Sequence, residues 1–165
     1  MNTLSIRCIE RTPERQNFML FIDEQSLDSL LNIDHCEDMR FSNFDLDIFP
    51  VDKQRFPDYN HKAVIINTIA QFLGQAPIFT QFGSNRLVIY RCHCGSDYCG
   101  VISCDLLITQ DSITWANIRY EDGSDSDDAA DLDEIDVTPI PQLVFAKTQY
   151  EQAFANYFQQ HVSML

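Results

Sequence analysis

At 165 residues, 45% of them apolar, the chain is long enough for one domain to bury a core without disulfide or metal staples. Twelve Phe, six Tyr and one Trp exclude a disordered composition. Its 25 acidic residues against 11 basic ones give a formal charge of −14, which disfavours nucleic acid and anionic membranes and favours cationic partners.

Met1-Asn2-Thr3-Leu4-Ser5 lacks the basic, apolar pattern of a leader and runs directly into a predicted strand. Leu4, Ile6 and Cys8 alternate with polar neighbours, and Phe18-Met19-Leu20-Phe21-Ile22 follows as a second strand, hairpinned to the first. Ser26–Leu31 carries a short helical pattern, and residues 33–58 read as irregular, rich in Asp and Phe. Asn60 is placed to cap a helix through Leu73, with Ala63, Ile66, Ile69, Ala70 and Leu73 on one stripe and Gly74 just past the end.

Leu87–Tyr90, Ile102–Ile108 and Ile113–Tyr120 are predicted as three strands of an antiparallel meander, joined at residues 95–98 and near Asp111-Ser112. Eight acids crowd into residues 122–136: Asp122, Asp125, Asp127, Asp128, Asp131, Asp133, Glu134 and Asp136. The remaining residues carry 17 acids against 11 bases, so this segment supplies most of the charge. It is read either as a solvated loop or as a partner-binding surface. Leu143-Val144-Phe145 forms a further short strand. Thr148 and Glu151 have capping-box spacing before a helix striped by Tyr150, Phe154, Tyr157, Phe158 and Val162. The expected architecture is one α+β domain over residues 1–165. Its mostly antiparallel sheet (meander near 86–120) is packed by helices near 60–73 and 148–162, and the acidic segment at 122–136 is flexible.

The densest chemical signal is Arg91-Cys92-His93-Cys94-Gly95-Ser96-Asp97-Tyr98-Cys99-Gly100, with Cys104 close behind. Four of the six cysteines fall within thirteen residues, which calls for metal, disulfide or redox chemistry. If residues 95–98 form a four-residue hairpin loop, Cys94 faces Cys99, Cys92 pairs with Val101, Tyr90 with Ser103 and Ile89 with Cys104. Strand parity then puts Cys92, Cys94 and Cys99 on one face at an exposed tip and Cys104 in the core. A turn at Asp111-Ser112 likewise puts Trp115 opposite Ile108 on the apolar face. Three co-facial thiolates resemble part of a zinc knuckle, which needs four N/S ligands. His93 or His61 is the candidate fourth ligand, with His35, Cys36 and Cys8 as further options. A Cys94–Cys99 disulfide and three free thiols are the alternatives.

The span Tyr90-Arg91-Cys92-His93-Cys94-Gly95 through Cys99-Gly100, followed by an apolar strand, a turn and Ile113-Thr114-Trp115, resembles a set of small uncharacterised bacterial proteins. They share a C-x-C-G…C-G signature followed by a strand and a Trp. The match covers residues 86–120, with an echo from Phe145 to Phe158. It implies a bacterial cytosolic domain and carries neither an activity nor catalytic residues.

No G-x-S-x-G elbow, H-E-x-x-H, G-x-x-x-x-G-K-[ST] or G-x-G-x-x-G occurs in the chain. The expected function is therefore not enzymatic: an acidic cytoplasmic protein-binding module, most concretely an immunity or inhibitor protein that neutralises a basic toxin such as a nuclease. Its anchors would be the acids of 122–136 and the aromatics Phe44, Phe49, Phe56 and Tyr59. The alternatives are a thiol- or zinc-dependent enzyme centred on Cys92, Cys94 and Cys99, and a domain with purely structural zinc.

Overall fold

The computed structural model describes residues 1–33, 41–92, 94–123 and 137–165. Among them, eight strands and three α-helices build an α+β fold with two antiparallel sheets. The first sheet has the order β1 (Leu4–Arg11), β2 (Gln16–Ile22), β3 (Gln25–Ser26). The second runs β4 (Phe41–Ser42), β5 (Leu87–Cys92), β6 (Val101–Ile108), β7 (Ser112–Glu121), β8 (Leu143–Ala146), so the predicted meander is its centre. No helix among the described residues is long and apolar enough to cross a membrane.

Side chains stitch the sheets together where backbone pairing ends. Asn2 forms a parallel bridge with Phe145, and its Oδ1 accepts the Val144 N–H. The fully buried Asn43 accepts the Leu20 N–H of β2 and donates to the Ile89 carbonyl of β5. Asp47 accepts the Phe18 N–H, so the stretch of the β2 edge that β3 does not cover is closed at Phe18 and Leu20 by a carboxylate and an amide.

Helix α1 spans Leu27–Leu30. Helix α2, His61–Phe72, begins where Asn60 accepts the Ala63 N–H and ends at Leu73, with Gly74 at φ +70° just beyond. The buried face overlaps the predicted stripe only in part: Ile69 and Leu73 pack against the core as predicted. Ile65, Thr68 and Phe72 are buried, whereas Ala63 and Ile66 face outward. Apolar residues run nearly around the helix, so periodicity alone does not select a face; the packing of Phe72 against Trp115 and Phe154 does.

Helix α3, Lys147–Tyr157, continues as a π-helical turn through Phe158–Val162. The predicted capping box is absent. Ala146 holds the N-cap, and the Lys147 N–H donates to the Asp111 carbonyl in the β6–β7 turn. The aromatic stripe is buried as predicted: Tyr150, Phe154 and Tyr157 join Trp115, Phe145 and Phe72 in one cluster. Tyr150 accepts the Trp115 indole N–H at 3.1 Å and donates to the Phe72 carbonyl at 2.9 Å, tying α3, β7 and α2 together.

Both predicted hairpin registers are corrected. In β6–β7, Thr109 and Ser112 close the turn, so Ile108 pairs with Ile113 and Trp115 with Leu106. The shift is two residues, which preserves parity and keeps Trp115 in the core. In β5–β6 the pairs are Leu87–Cys104, Val88–Ser103 and Tyr90–Ile102, with a register shift between Val88 and Tyr90. The β5–β6 pairing stops short of Cys92 at the end of β5, and Cys94 and Cys99 occupy a longer loop than a four-residue hairpin.

Candidate metal centre

The loop between β5 and β6 folds as two consecutive turns. The Gly95 N–H donates to the Cys92 carbonyl, and a 3-10 turn over Asp97–Cys99 ends where the Gly100 N–H donates to the Asp97 carbonyl. Gly100 has φ +100°, and a Cβ there would strike the Tyr120 ring and hydroxyl, so this position needs glycine on both counts.

Gln81, reaching in from a neighbouring loop, clamps the turns with three hydrogen bonds. Its N–H donates to Asp97 Oδ2 at 2.8 Å, its Oε1 accepts the Asp97 N–H at 2.9 Å, and its Nε2 donates to the Gly95 carbonyl at 2.8 Å. Asp97 is fully buried, with Oδ1 3.2 Å from Arg91 Nε, and the same guanidinium lies 3.6 Å from Asp45. Burial raises the Asp45 carboxyl pKa against the pull of Arg91. Sequence reasoning did not find Gln81, Asp97 or Arg91 as supports of this loop, since Gln81 lies sixteen residues from its partner and has no motif.

On this scaffold the Sγ atoms of Cys92, Cys94 and Cys99 lie within 4.8 Å of one another, close enough to hold a metal ion. They are not equivalent, nor all at an exposed tip as parity suggested. Cys92 pairs with Phe41 of β4 and is only 4% exposed, whereas Cys94 and Cys99 face solvent. The five described cysteines are free thiols, and the Cys94 and Cys99 sulfurs stand 3.4 Å apart. The Ser96 N–H donates to the Cys94 sulfur and lowers its thiol pKa. The hydrogen bond between the two sulfurs pushes the Cys99 thiol up to about 11. Cys104 is a core thiol as predicted, its pKa raised by burial.

The other predicted site residues fall elsewhere. His61 opens α2, its ring 4.5 Å from Phe49 and its Nδ1 3.4 Å from the Tyr59 hydroxyl, and it is not a member of the described thiolate group. Burial lowers its pKa. Cys8 points its sulfur at the Glu10 carbonyl. His161, in the last turn of the closing helix, packs on Phe18 at 4.7 Å, and burial lowers its pKa too. His35, Cys36 and His93 lie outside the described residues, as do Asp125, Asp127, Asp128, Asp131, Asp133, Glu134 and Asp136 of the acidic segment.

The described root of that segment sits beside the thiol loop. Gly123 lies against Phe82, and the Phe82 ring meets Tyr98 at 5.7 Å. Tyr98 is 63% exposed between Asp97 and Cys99. Of the 41–59 aromatics, Phe56 and Tyr59 are exposed, while Phe49 packs on His61 with the Arg15 guanidinium above it. No protein-family model matches the chain, and no curated protein or solved structure is significantly similar to it.

Proposed function

We propose that the protein is a metal-thiolate domain that holds one zinc ion through Cys92, Cys94 and Cys99. The observation that carries this reading is the convergence of three sulfurs within 4.8 Å on a loop already clamped by Gln81 and Asp97. A tetrahedral ion with Zn–S bonds of about 2.3 Å needs sulfurs roughly 3.8 Å apart, so small side-chain rotations suffice to meet it. The thiolate set favours a borderline-soft cation over Mg or Ca. His93, between two of the thiolates in sequence, is the proposed fourth ligand.

With its ligands on the turn that closes β5–β6, the ion has a structural role: it pins a loop otherwise held by hydrogen bonds. Elemental analysis of protein purified without chelator should find one zinc per chain, lost in Cys94→Ser. A reconstituted protein that retains no more zinc than the triple Cys92→Ser/Cys94→Ser/Cys99→Ser variant refutes the site.

Charge favours a second layer to this reading. Eight acids lie in residues 122–136, and the described root of that segment packs beside Tyr98 of the thiol loop. This supports an acidic module that docks a basic protein, in its most concrete form a bacterial cytosolic inhibitor covering the cationic site of a toxin such as a nuclease. Tyr98 is a further anchor of the kind found at interface centres. A toxin gene beside the coding sequence, and a cognate toxin co-purifying with a salt-dependent on-rate, are the expected results. Neutralising the eight acids without changing that on-rate overturns the docking reading. Substrate turnover abolished by Cys94→Ser in a folded protein would replace it with the thiol-enzyme reading.

A further inference from the structure

We propose that Cys94 and Cys99 form a peroxide-oxidisable dithiol whose disulfide dismantles the metal site. The inference rests in part on the metal-thiolate reading above, but the dithiol itself is argued from geometry that does not involve the ion.

Exposure divides the thiols. Cys92 and Cys104 are 4% and 0% exposed, whereas Cys94 and Cys99 both face solvent, so a small oxidant reaches the latter pair first. Their sulfurs are 3.4 Å apart, and a disulfide requires about 2.05 Å. The approach is small enough for rotation of the two exposed side chains, with the backbone turns that carry them left in place. Closing the pair to Cys92 instead would draw a buried sulfur out of the sheet at the β4–β5 pairing.

The chemistry balances with hydrogen peroxide as oxidant. The Cys94 sulfur attacks one peroxide oxygen; the O–O bond breaks, a sulfenic acid forms on Cys94, and the departing hydroxide leaves as water. The Cys99 sulfur then attacks the Cys94 sulfur, the S–S bond forms, and the sulfenic oxygen departs as a second water. Two thiols are oxidised and one peroxide is reduced to two waters. The metal consequence follows from charge: two of the three thiolates are consumed, and Cys92, even with His93, cannot retain a divalent cation against solvent. A thiol reductant restores both thiols and the site.

Two arms test this on the full chain. Metal-free protein treated with hydrogen peroxide should lose the mass of two hydrogen atoms and remain monomeric on a non-reducing gel. Alkylation before and after reduction, read by tandem mass spectrometry, should mark Cys94 and Cys99 as the protected pair. Cys92→Ser should still form this disulfide, and Cys94→Ser and Cys99→Ser should not. Zinc-loaded protein should release its ion to a chromogenic chelator with the time course of disulfide formation and rebind zinc after dithiothreitol. A disulfide through Cys92, an intermolecular dimer, stable sulfinic acid in place of the disulfide, or zinc retained after Cys94–Cys99 closure overturns the proposal. Protein that never binds zinc yet forms the disulfide overturns the metal reading and its release step while leaving the dithiol in place. Protein that binds zinc but forms no disulfide does the reverse.

Discussion

Tyr150→Phe removes one oxygen from the centre of the fold, and its cost follows from two hydrogen bonds. The hydroxyl is fully buried; it accepts the Trp115 indole N–H at 3.1 Å and donates to the Phe72 carbonyl at the end of α2 at 2.9 Å. Phenylalanine keeps the ring packing against Phe145 and Phe154, so no cavity opens beyond one atom. Each orphaned buried polar group costs about 1–3 kcal/mol, and the pair together about 3 kcal/mol. For a chain of this size that corresponds to a fall in Tm of roughly 6–12 °C. Tyr90→Phe is the matched control. Tyr90 is equally buried, but its hydroxyl donates to the Met19 sulfur at 3.3 Å, a weak acceptor, so about 1 kcal/mol or less is expected. Urea denaturation is followed by the emission of Trp115, the single tryptophan, and in parallel by far-UV circular dichroism, because the substitution touches the fluorophore. Equal costs for the two variants, or a Tyr150→Phe loss under 1 kcal/mol, would refute the assignment of the energy to the indole and carbonyl.

Three further outcomes are expected. Burial pushes the Asp47 carboxyl up to about 7, against the pull of the Phe18 N–H. The folded state therefore binds the proton more tightly than the unfolded chain, and the wild type loses stability as pH rises from about 4 to 7. Asp47→Asn keeps an acceptor for Phe18, so its advantage over wild type should grow across that window and level off above it; parallel pH–stability curves would contradict this. Gly100→Ala should cost about 2–3 kcal/mol, because φ +100° and the Tyr120 ring both oppose a Cβ, and it should weaken zinc binding at the adjacent Cys99; unchanged urea midpoint and zinc affinity would count against the loop geometry. Arg86 is buried among Ser103, Asp105, Asn117 and Glu121, so Arg86→Met should cost about 3–5 kcal/mol, and Arg86→Lys should recover only part of it in thermal denaturation.

Local patterning determined the elements of this protein. Apolar runs marked six of the eight described strands but not the two-residue β3 and β4, the latter inside the stretch read as irregular; Asn60 and Gly74 bracketed α2, and the aromatic stripe of α3 entered the core as predicted. These signals act between residues two to four positions apart, where the backbone itself relates side chains. The density of cysteines in residues 92–104 also announced a thiol site, and Cys92, Cys94 and Cys99 do converge. What tertiary structure decided is how they converge. Register depends on bulges and turn lengths that move every pairing at once, so parity placed Cys104 correctly but missed the burial of Cys92. The buried face of α2 was settled by Phe72 meeting Trp115 and Phe154, because apolar residues nearly encircle that helix. The start of α3 was settled by Asp111, thirty-six positions upstream, accepting the Lys147 N–H. The support of the thiol loop by Gln81, and the burial of Asp97 against Arg91, come from segments brought together only when the sheet forms. A hydrogen bond between distant segments leaves no periodicity in the chain, and so the shape of the site became legible only in the fold.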